Sequence, residues 1–177
     1  MTTFQTPKGE VLLRKATLID APKVSELRRE ALAYNPTSFG SSVEQPDRWS
    51  FQWAEQLINS PEDYSLLLIA EYQEDMFGMA VIRRPNGTKV SHGSTINSVY
   101  LKPEWRGFGI MQQILGQLQQ WAMDRRLHFI KLGVTTINKS AHRSYLRFGF
   151  VDYATEPKDI FFEGNYYDEY LMIKYLV

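Results

Sequence analysis

Apolar positions along this chain follow two periods, one typical of helices and one typical of strands. Recurrence at every third or fourth residue predicts helices over residues 20–34, 47–59, 110–122 and 138–148. Shorter apolar runs bounded by turn residues predict strands over residues 11–17, 65–72, 76–84, 95–101, 129–136, 150–154 and 166–176, with residues 159–162 joining one of the last two. Residues 1–10 show neither pattern, and we predict that they form a loose N-terminal leader.

The order of these elements predicts the fold class. Strands and helices are mixed along the chain, and closely spaced strands in the middle and at the end favour antiparallel hairpins. We therefore predict an α/β (α+β) protein with a mixed central sheet and helices packed on its faces. A length of 177 residues favours one domain, which we place at residues 11–177.

Composition narrows the classes of partner and of chemistry. Twenty basic and twenty acidic residues cancel, so no net charge draws the chain to nucleic acid or to an anionic membrane. The chain has no cysteine, which excludes a disulfide, a thiolate metal site and a cysteine nucleophile. The longest apolar run, at residues 66–70, is too short to cross a bilayer, and no secretory signal is visible. We expect a cytoplasmic protein.

Residues 99–110 carry the strongest chemical signal. They predict the end of a strand, a short basic loop with two glycines, and the first turn of an amphipathic helix. Gly107 and Gly109 let the backbone turn its N–H groups inward, and the helix adds unpaired donors at the positive end of its dipole. With the forked cation of Arg106, this segment predicts a seat for a phosphate-bearing anion. An ordinary tight turn is the alternative, and the lack of a Walker A lysine argues against a phosphotransferase.

A second segment, residues 138–150, combines a helix start with a tyrosine. Asn138 follows a strand, where it can cap the helix or hold a ligand rich in amides. Tyr145 lies two turns further on nearly the same face, and its phenol can donate a proton to a leaving group such as a thiolate. The alternative is a helix cap with a half-buried tyrosine, in a helix that Gly149 ends.

Together these two segments resemble the GNAT superfamily of acyl-CoA-dependent N-acetyltransferases. Val-Tyr-Leu-x-Pro-x-Trp-Arg-Gly-x-Gly-Ile at residues 99–110 resembles the acetyl-CoA motif of that family, and Asn-x-x-Ala-x-x-x-Tyr-x-x-x-Gly-Phe at residues 138–150 resembles the motif that follows it. The resemblance implies the acyl-CoA N-acyltransferase fold, with a mostly antiparallel sheet, splayed middle strands and helices on both faces. It also implies transfer of an acetyl group from acetyl-CoA to a primary amine by direct attack, without a metal.

The resemblance assigns roles to the residues that match the motifs. Backbone groups of Val99 and Leu101 would pair with the pantetheine arm, and an N–H in that strand would polarise the thioester carbonyl. Asn138 would contact the same arm, and Tyr145 would protonate the departing thiolate as the general acid. The pyrophosphate would lie on the loop and the first helical turn. The residues implicated in cofactor binding are Val99, Tyr100, Leu101, Arg106, Gly107, Phe108, Gly109, Ile110, Met111 and Asn138.

The chain departs from the family pattern at two places. Met111 stands where the family commonly has glycine or alanine. Residues 96–99 offer no carboxylate to deprotonate the amine, which leaves Glu71 and His92 as candidate bases beside a structural role for each. A non-catalytic sensor or interaction module that binds coenzyme A is therefore the alternative to an enzyme.

The acceptor is predicted only as a class, an amine of a small molecule or of a peptide. The family's architecture would place it between the loop at residues 36–42 and the final hairpin. The loop would form one wall, with Phe39 as a lid. Residues 161–170, which include Tyr167, would form the other wall, where aromatic and acidic residues suit a cationic amine. An ordinary half-buried strand is the alternative for the second wall. Edge strands of such a sheet could pair two copies as a homodimer.

Overall fold

Eight strands form one sheet at the centre of the structure, a computed structural model that describes residues 1–176. Numbered along the chain, the strands lie in the spatial order 1-2-3-4-5-6-8-7. Neighbouring strands of the described residues are antiparallel except the fifth and sixth, which are parallel. This arrangement confirms the predicted mixed, mostly antiparallel class. The strands are β1 (Thr2–Thr6), β2 (Gly9–Lys15), β3 (Ser65–Tyr72), β4 (Asp75–Arg83), β5 (Gly93–Leu101), β6 (Phe129–Thr135), β7 (Val151–Phe162) and β8 (Asn165–Tyr175).

Helices cover both faces of the sheet, as predicted. They are α1 (Ala21–Tyr34), α2 (Phe51–Ile58), α3 (Ile110–Asp124) and α4 (Lys139–Phe148). Because strand side chains alternate between faces, Leu67 and Ile69 of β3 join the core under α1 and α2, while Leu68 and Ala70 join the core under α3 and α4. No helix within residues 1–176 has both the length and the apolar character needed to span a membrane.

The first ten residues are not a loose leader, so that prediction is wrong. Thr2–Thr6 forms the edge strand β1, which pairs antiparallel with β2 through a tight turn at Gly9. Gly9 has a φ of +127°, a conformation that glycine adopts at little cost. Backbone hydrogen bonds and the half-buried Phe4 hold this strand, so it needs little of the apolar patterning on which the sequence prediction relied.

Two other element boundaries differ from prediction for local reasons. The second helix begins at Phe51 rather than at residue 47, because the Ser50 hydroxyl accepts a hydrogen bond from the Trp53 amide and caps the helix there. The last hairpin contains one long strand, β7, where two short segments were predicted. An irregularity around Lys158, whose φ is +57°, separates two stretches that both pair with β8.

The two central strands, β5 and β6, separate soon after they begin. They pair only through residues 93–95 of β5 and residues 129–131 of β6. Beyond this point the edge of β5 that faces β6 is left without a strand partner among the described residues. The splay opens a cleft in the middle of the sheet and leaves backbone groups of β5 free to bind something else.

A β-bulge bends β5 beside this cleft. Asn97 pairs with Val81 and Tyr100 pairs with Met79, so two residues of β5 lie opposite the single residue Ala80 of β4. Ser98 within the bulge has a φ of +52°, which is unusual for a residue with a side chain. No glycine marks this bend, so the sequence carried no signal for it.

Candidate active site

A cavity of about 920 Å³ occupies the cleft between the splayed strands. Its walls come from the end of β5, the glycine loop, the first turn of α3, β6, α4 and the loop after α1. The cavity therefore joins segments that are far apart in sequence. The predicted site residues that line it are Phe39, Val99, Tyr100, Leu101, Arg106, Gly107, Gly109, Ile110, Met111, Asn138 and Tyr145.

Unpaired backbone amides form one end of this cavity. Gly107 and Gly109 have φ values of +85° and +77°, so the loop uses the left-handed conformations that glycine permits. Within residues 1–176, the N–H groups of residues 107–111 donate no hydrogen bond, whereas the next amide, of Gln112, bonds the Gly109 carbonyl at 3.0 Å. These free donors lie at the positive end of the α3 dipole and make a seat for an anion.

Arg106 lies at the rim of this seat with its side chain partly fixed. Its Nε donates a hydrogen bond to the Leu101 carbonyl at 3.0 Å, and its guanidinium carbon lies 5.9 Å from the centre of the Tyr100 ring. The ring of Tyr100 is itself held by a hydrogen bond from its hydroxyl to Glu30 at 2.9 Å. These contacts hold the cation in the cavity wall, where it adds positive charge to the end of the cavity that carries the free amides.

Tyr145 is buried in the wall that α4 contributes. Its ring meets Phe150 edge to face at 5.9 Å between centroids. Burial raises the pKa of the Tyr145 phenol well above its ordinary value of 10, so at neutral pH the hydroxyl carries its proton. A protonated hydroxyl on the cavity wall can donate a hydrogen bond or a proton to a bound group.

Asn138 fixes the position of α4 and also contacts the opposite side of the cavity. Its side-chain oxygen accepts a hydrogen bond from the Ala141 amide at 3.2 Å, which confirms the predicted helix cap. Its Nδ2 donates to the Ser38 hydroxyl at 3.4 Å, so the loop after α1 is tied to the start of α4. Gly149, with a φ of +96°, ends the helix as predicted.

Glu169 is a carboxylate on the cavity wall that lies in the predicted wall segment but was not singled out from the sequence. It lies on β8 opposite Thr135 of β6, and its side chain covers Gly133, where a Cβ atom would lie only 2.2 Å from Oε2. Burial, together with the nearby negative charges of Asp159 and Glu156, raises its pKa to about 7. A glycine inside a strand often marks close approach of another group, so Gly133 is a sequence signal for this contact.

Arg28 of α1 is a second residue that the sequence prediction missed. Only 6% of it is exposed, and its guanidinium carbon lies 4.6 Å from the Phe39 ring centre and 5.7 Å from that of Trp53. Its position four residues after Val24 and three before Ala31 places it on the buried face of the helix. Arg28, Phe39 and Trp53 all line the cavity.

A comparison with protein-family models identifies the family to which this fold belongs. Residues 25–150 match the family model described as Acetyltransferase (GNAT) family, which covers more than half of the chain. The chain belongs to the GNAT family. The sequence has no significant match among curated proteins.

Solved structures of GNAT proteins share this fold over nearly the whole chain. A GNAT acetyltransferase from Streptococcus pneumoniae is 21% identical with a TM-score of 0.79, and the match covers 94% of this chain and 99% of that one. A putative acetyltransferase from Salmonella typhimurium with its cofactor acetyl-CoA is 21% identical with a TM-score of 0.78 and 94% coverage of both chains. A phosphinothricin acetyltransferase from Sinorhizobium meliloti in complex with acetyl-CoA is 19% identical with a TM-score of 0.78, covering 94% of this chain and 88% of that one.

The structure does not place Glu71, a predicted substrate residue and candidate base, in the cavity of this GNAT chain. Its two carboxylate oxygens accept hydrogen bonds from Arg14 Nε at 3.0 Å and Nη2 at 2.9 Å. The same guanidinium bonds both oxygens of Asp20 at 2.7 and 2.8 Å. Glu71 is therefore a structural partner that joins β3 to β2 and to the turn before α1.

Three further predicted or candidate residues of this GNAT chain also lie outside the cavity walls. The Phe108 ring packs against the core near Lys8, whose Nζ is 5.8 Å from its centre. Tyr167 pairs with Ile160 in the final hairpin, beyond the part of β8 that reaches the cavity. His92 meets the edges of His128 and Phe129 at the start of β5. These residues lie in the loop and strands near which the sequence placed them. Their side chains lie outside the cavity walls because side-chain direction depends on packing neighbours that the sequence does not show.

Proposed function

We propose that this GNAT protein is an acetyl-CoA-dependent N-acetyltransferase that acetylates a primary amine of a small molecule or peptide. One observation carries the proposal: a single cavity joins an anion seat, an unpaired strand edge and a buried, protonated tyrosine. Acetyl-CoA combines phosphates, an amide-rich arm and a thioester. The anion seat suits the phosphates, the strand edge suits the arm, and the tyrosine suits the sulfur that leaves the thioester.

The described residues fit acetyl-CoA, which two of the solved relatives hold. The free amides of residues 107–111 and the Arg106 cation would hold its phosphates. The edge of β5 beyond Thr95, which has no strand partner among the described residues, would pair with its amide-rich arm in the way one strand pairs with another. Val99 and the N–H of Leu101 lie on this stretch, whereas the Leu101 carbonyl is already bonded to Arg106 Nε. When bound, acetyl-CoA supplies an acetyl group activated as a thioester.

Tyr145 and Glu169 are the residues that we propose to move protons. The acceptor attacks as the neutral amine, after its ammonium form has released one proton to water. Glu169 takes the further proton that the nitrogen loses as it bonds to the acetyl carbon, and Tyr145 gives the proton that the leaving sulfur gains as the carbon–sulfur bond breaks. The two groups then exchange protons with water to return to their starting states. A carboxyl with a pKa of about 7 and a phenol that stays protonated support these opposite roles.

Acetylation of a panel of primary amines, followed by release of free thiol, tests this function. We expect turnover with at least one amine, and we expect Tyr145→Phe to lower kcat by about 100-fold or more, the usual contribution of a positioned acid. The ring remains in place, so the affinity for coenzyme A should stay close to wild type. Tyr166→Phe, at an exposed position of β8, is the matched control and should leave kcat unchanged.

Other outcomes of the same panel would contradict the proposal in different ways. Tight binding of coenzyme A without thiol release on any amine would favour a non-catalytic sensor. Turnover that Tyr145→Phe leaves unchanged would keep the acetyltransferase and remove Tyr145 as its acid.

A further inference from the structure

Arg28 is a buried cation without an anionic partner. Its Nε and Nη1 atoms are fully covered, and neither donates a hydrogen bond to any of residues 1–176. No carboxylate of the described residues forms an ion pair with it. Leaving charged donors buried and unpaired is costly, because water is lost and nothing replaces it.

The surroundings of Arg28 hold the cation without satisfying its donors. Phe39 and Trp53 lie within 6 Å of its guanidinium and contribute attraction between cation and ring. Burial lowers its pKa to about 10, so the side chain stays charged at neutral pH. The aromatic residues thus hold the charged guanidinium in the cavity wall, where Nη2, the nitrogen of the group that is not fully covered, can donate to a molecule bound in the cavity.

The position of Arg28 separates it from the seat proposed for phosphates. Arg28 belongs to α1, and Arg83 follows Val81 on the same face of β4, where Val81 joins the core under α1 and α2. The anion seat begins α3, on the opposite face of the sheet. The cavity therefore has cations at two places, and those on the α1 side lie where the acceptor, rather than the phosphates, would bind.

We propose that the acceptor amine carries a carboxylate, which binds the guanidinium of Arg28 at the cavity wall. This inference rests on the proposed acetyltransferase function and names the class of its acceptor, an amino acid or a similar amino carboxylate. Arg48 and Arg83, which also line the cavity, reinforce the attraction for an anion at exposed positions. A hydrogen bond from a guanidinium to a carboxylate joins two opposite charges and is stronger than one to a neutral amide or alcohol.

Above its pKa of about 7, Glu169 provides the complementary charge for the other end of such an acceptor. It lies on the same cavity wall as Thr135 and Gly133, on β6 and β8, whereas Arg28 approaches from α1. An amino carboxylate is a zwitterion, so its ammonium group and its carboxylate would meet groups of opposite charge at separate places. The cavity is thus suited to an acceptor that bears both charges rather than to a simple alkylamine.

Matched pairs of acceptors test this inference with the full-length protein. The pairs are glycine, β-alanine, 4-aminobutyrate, 6-aminohexanoate and the common L-α-amino acids, each beside its primary carboxamide. We expect at least one carboxylate to be acetylated with a kcat/KM ten or more times that of its amide, roughly the effect of one hydrogen bond between charged groups. Calorimetry of the same pairs, with coenzyme A present, should show the same preference in binding.

Variants at position 28 show whether Arg28 is the group that binds the carboxylate. Arg28→Met should raise KM or Kd for the preferred carboxylate by roughly 10- to 100-fold and change the values for its amide by no more than about twofold. Arg28→Lys keeps the charge but places its donors differently, so an intermediate effect is expected. Arg29→Met, an exposed position on the same helix, should behave as the wild type. A purely structural role of Arg28 would weaken carboxylate and amide alike.

The outcomes separate this inference from the function on which it rests. Acetylation of amines without any preference for carboxylates would overturn the role of Arg28 and leave the acetyltransferase standing. If no amine is acetylated, the proposed function fails, and calorimetry alone then decides whether Arg28 binds a carboxylate. If Arg28→Met does not fold, the preference of the wild type and the effect of Arg28→Lys decide whether Arg28 binds the carboxylate.

Discussion

The carboxyl group of Glu169 occupies space that exists because residue 133 is a glycine. Its environment disfavours the charged form, since it is partly buried and faces Glu156 and Asp159 from β7. The residues of β6 beneath it, Gly133 and Thr135, carry no charge. At the residue scale, burial and nearby charges thus decide whether the polar groups of the site are protonated.

The pH dependence of turnover is the first consequence of this setting. The base form of Glu169 exists only above its pKa of about 7, so kcat/KM should rise with pH up to about 7 and then level off. Glu169→Gln should remove this rise and lower kcat/KM at pH 8 by about 100-fold. Rates measured from pH 5.5 to about pH 9 check both expectations. Glu163→Gln, in the exposed turn of the last hairpin, is the control.

Stability gives an independent measure of the same group. The folded protein holds the proton of Glu169 up to about pH 7, whereas an ordinary glutamate loses it near 4.5, so the contribution of Glu169 to stability falls as pH rises through this range. Glu169→Gln should therefore raise Tm relative to wild type at pH 8 more than at pH 4. An equal difference in Tm at both pH values would contradict the raised pKa.

At the scale of elements, two glycines of the α3 region have different roles, one in ligand binding and one in helix stability. Gly109 has a φ of +77° and open space around it, so an alanine there would meet no atoms but would strain the backbone. Gly116 lies inside the same helix, also with open space, but has ordinary helical geometry. The two glycines therefore form a matched pair.

Substituting alanine at position 109 should affect ligand binding, whereas the same change at position 116 should affect stability. Gly109→Ala should weaken coenzyme A binding by about tenfold or more, because the free amides of the seat shift with the strained backbone. Gly116→Ala should leave binding unchanged and raise the free energy of unfolding by about 0.5–1 kcal/mol, the usual gain within a helix. Calorimetry and urea unfolding measure the two quantities. Unaltered affinity in Gly109→Ala would show that the loop backbone is not the seat.

At the scale of the whole molecule, Arg14 joins parts of the fold that are distant in sequence. It links β2 to Glu71 of β3 and to Asp20 before α1. Hydrogen bonds from Arg14 hold the pKa of Asp20 at about 2, below its ordinary value of 3.8. The stability that Asp20 contributes is therefore complete above pH 3.8 and is lost as pH falls towards 2.

Breaking this cluster should affect folding and leave catalysis alone. Arg14→Met should lower the free energy of unfolding at pH 7 by about 1–3 kcal/mol, because two carboxylates lose a charged hydrogen-bond donor. The kcat and KM of the remaining folded protein should equal those of the wild type, since Glu71 lies outside the cavity. A changed KM for the acceptor, with unchanged urea unfolding, would show instead that Glu71 takes part in substrate binding.

Much of the fold was predictable from the sequence because its signals are local. Turn chemistry at Gly107 and Gly109, the cap at Asn138 and the stop at Gly149 depend on residues within one or two turns of each other. The β1 strand was missed because an edge strand is held by backbone hydrogen bonds more than by apolar spacing. The bulge at Ser98 was missed because no glycine announces it.

The sequence by itself determined the family, the fold class and the loop that presents free amides, since each follows from motifs and periods found along the chain. Only the tertiary structure decided that Glu71 is taken by Arg14, that Glu169 covers Gly133, and that Arg28 is buried without an anion. Each of these facts depends on which distant side chains share a space. Contacts between residues far apart in sequence, and the loss of water around them, leave no periodic trace in the chain.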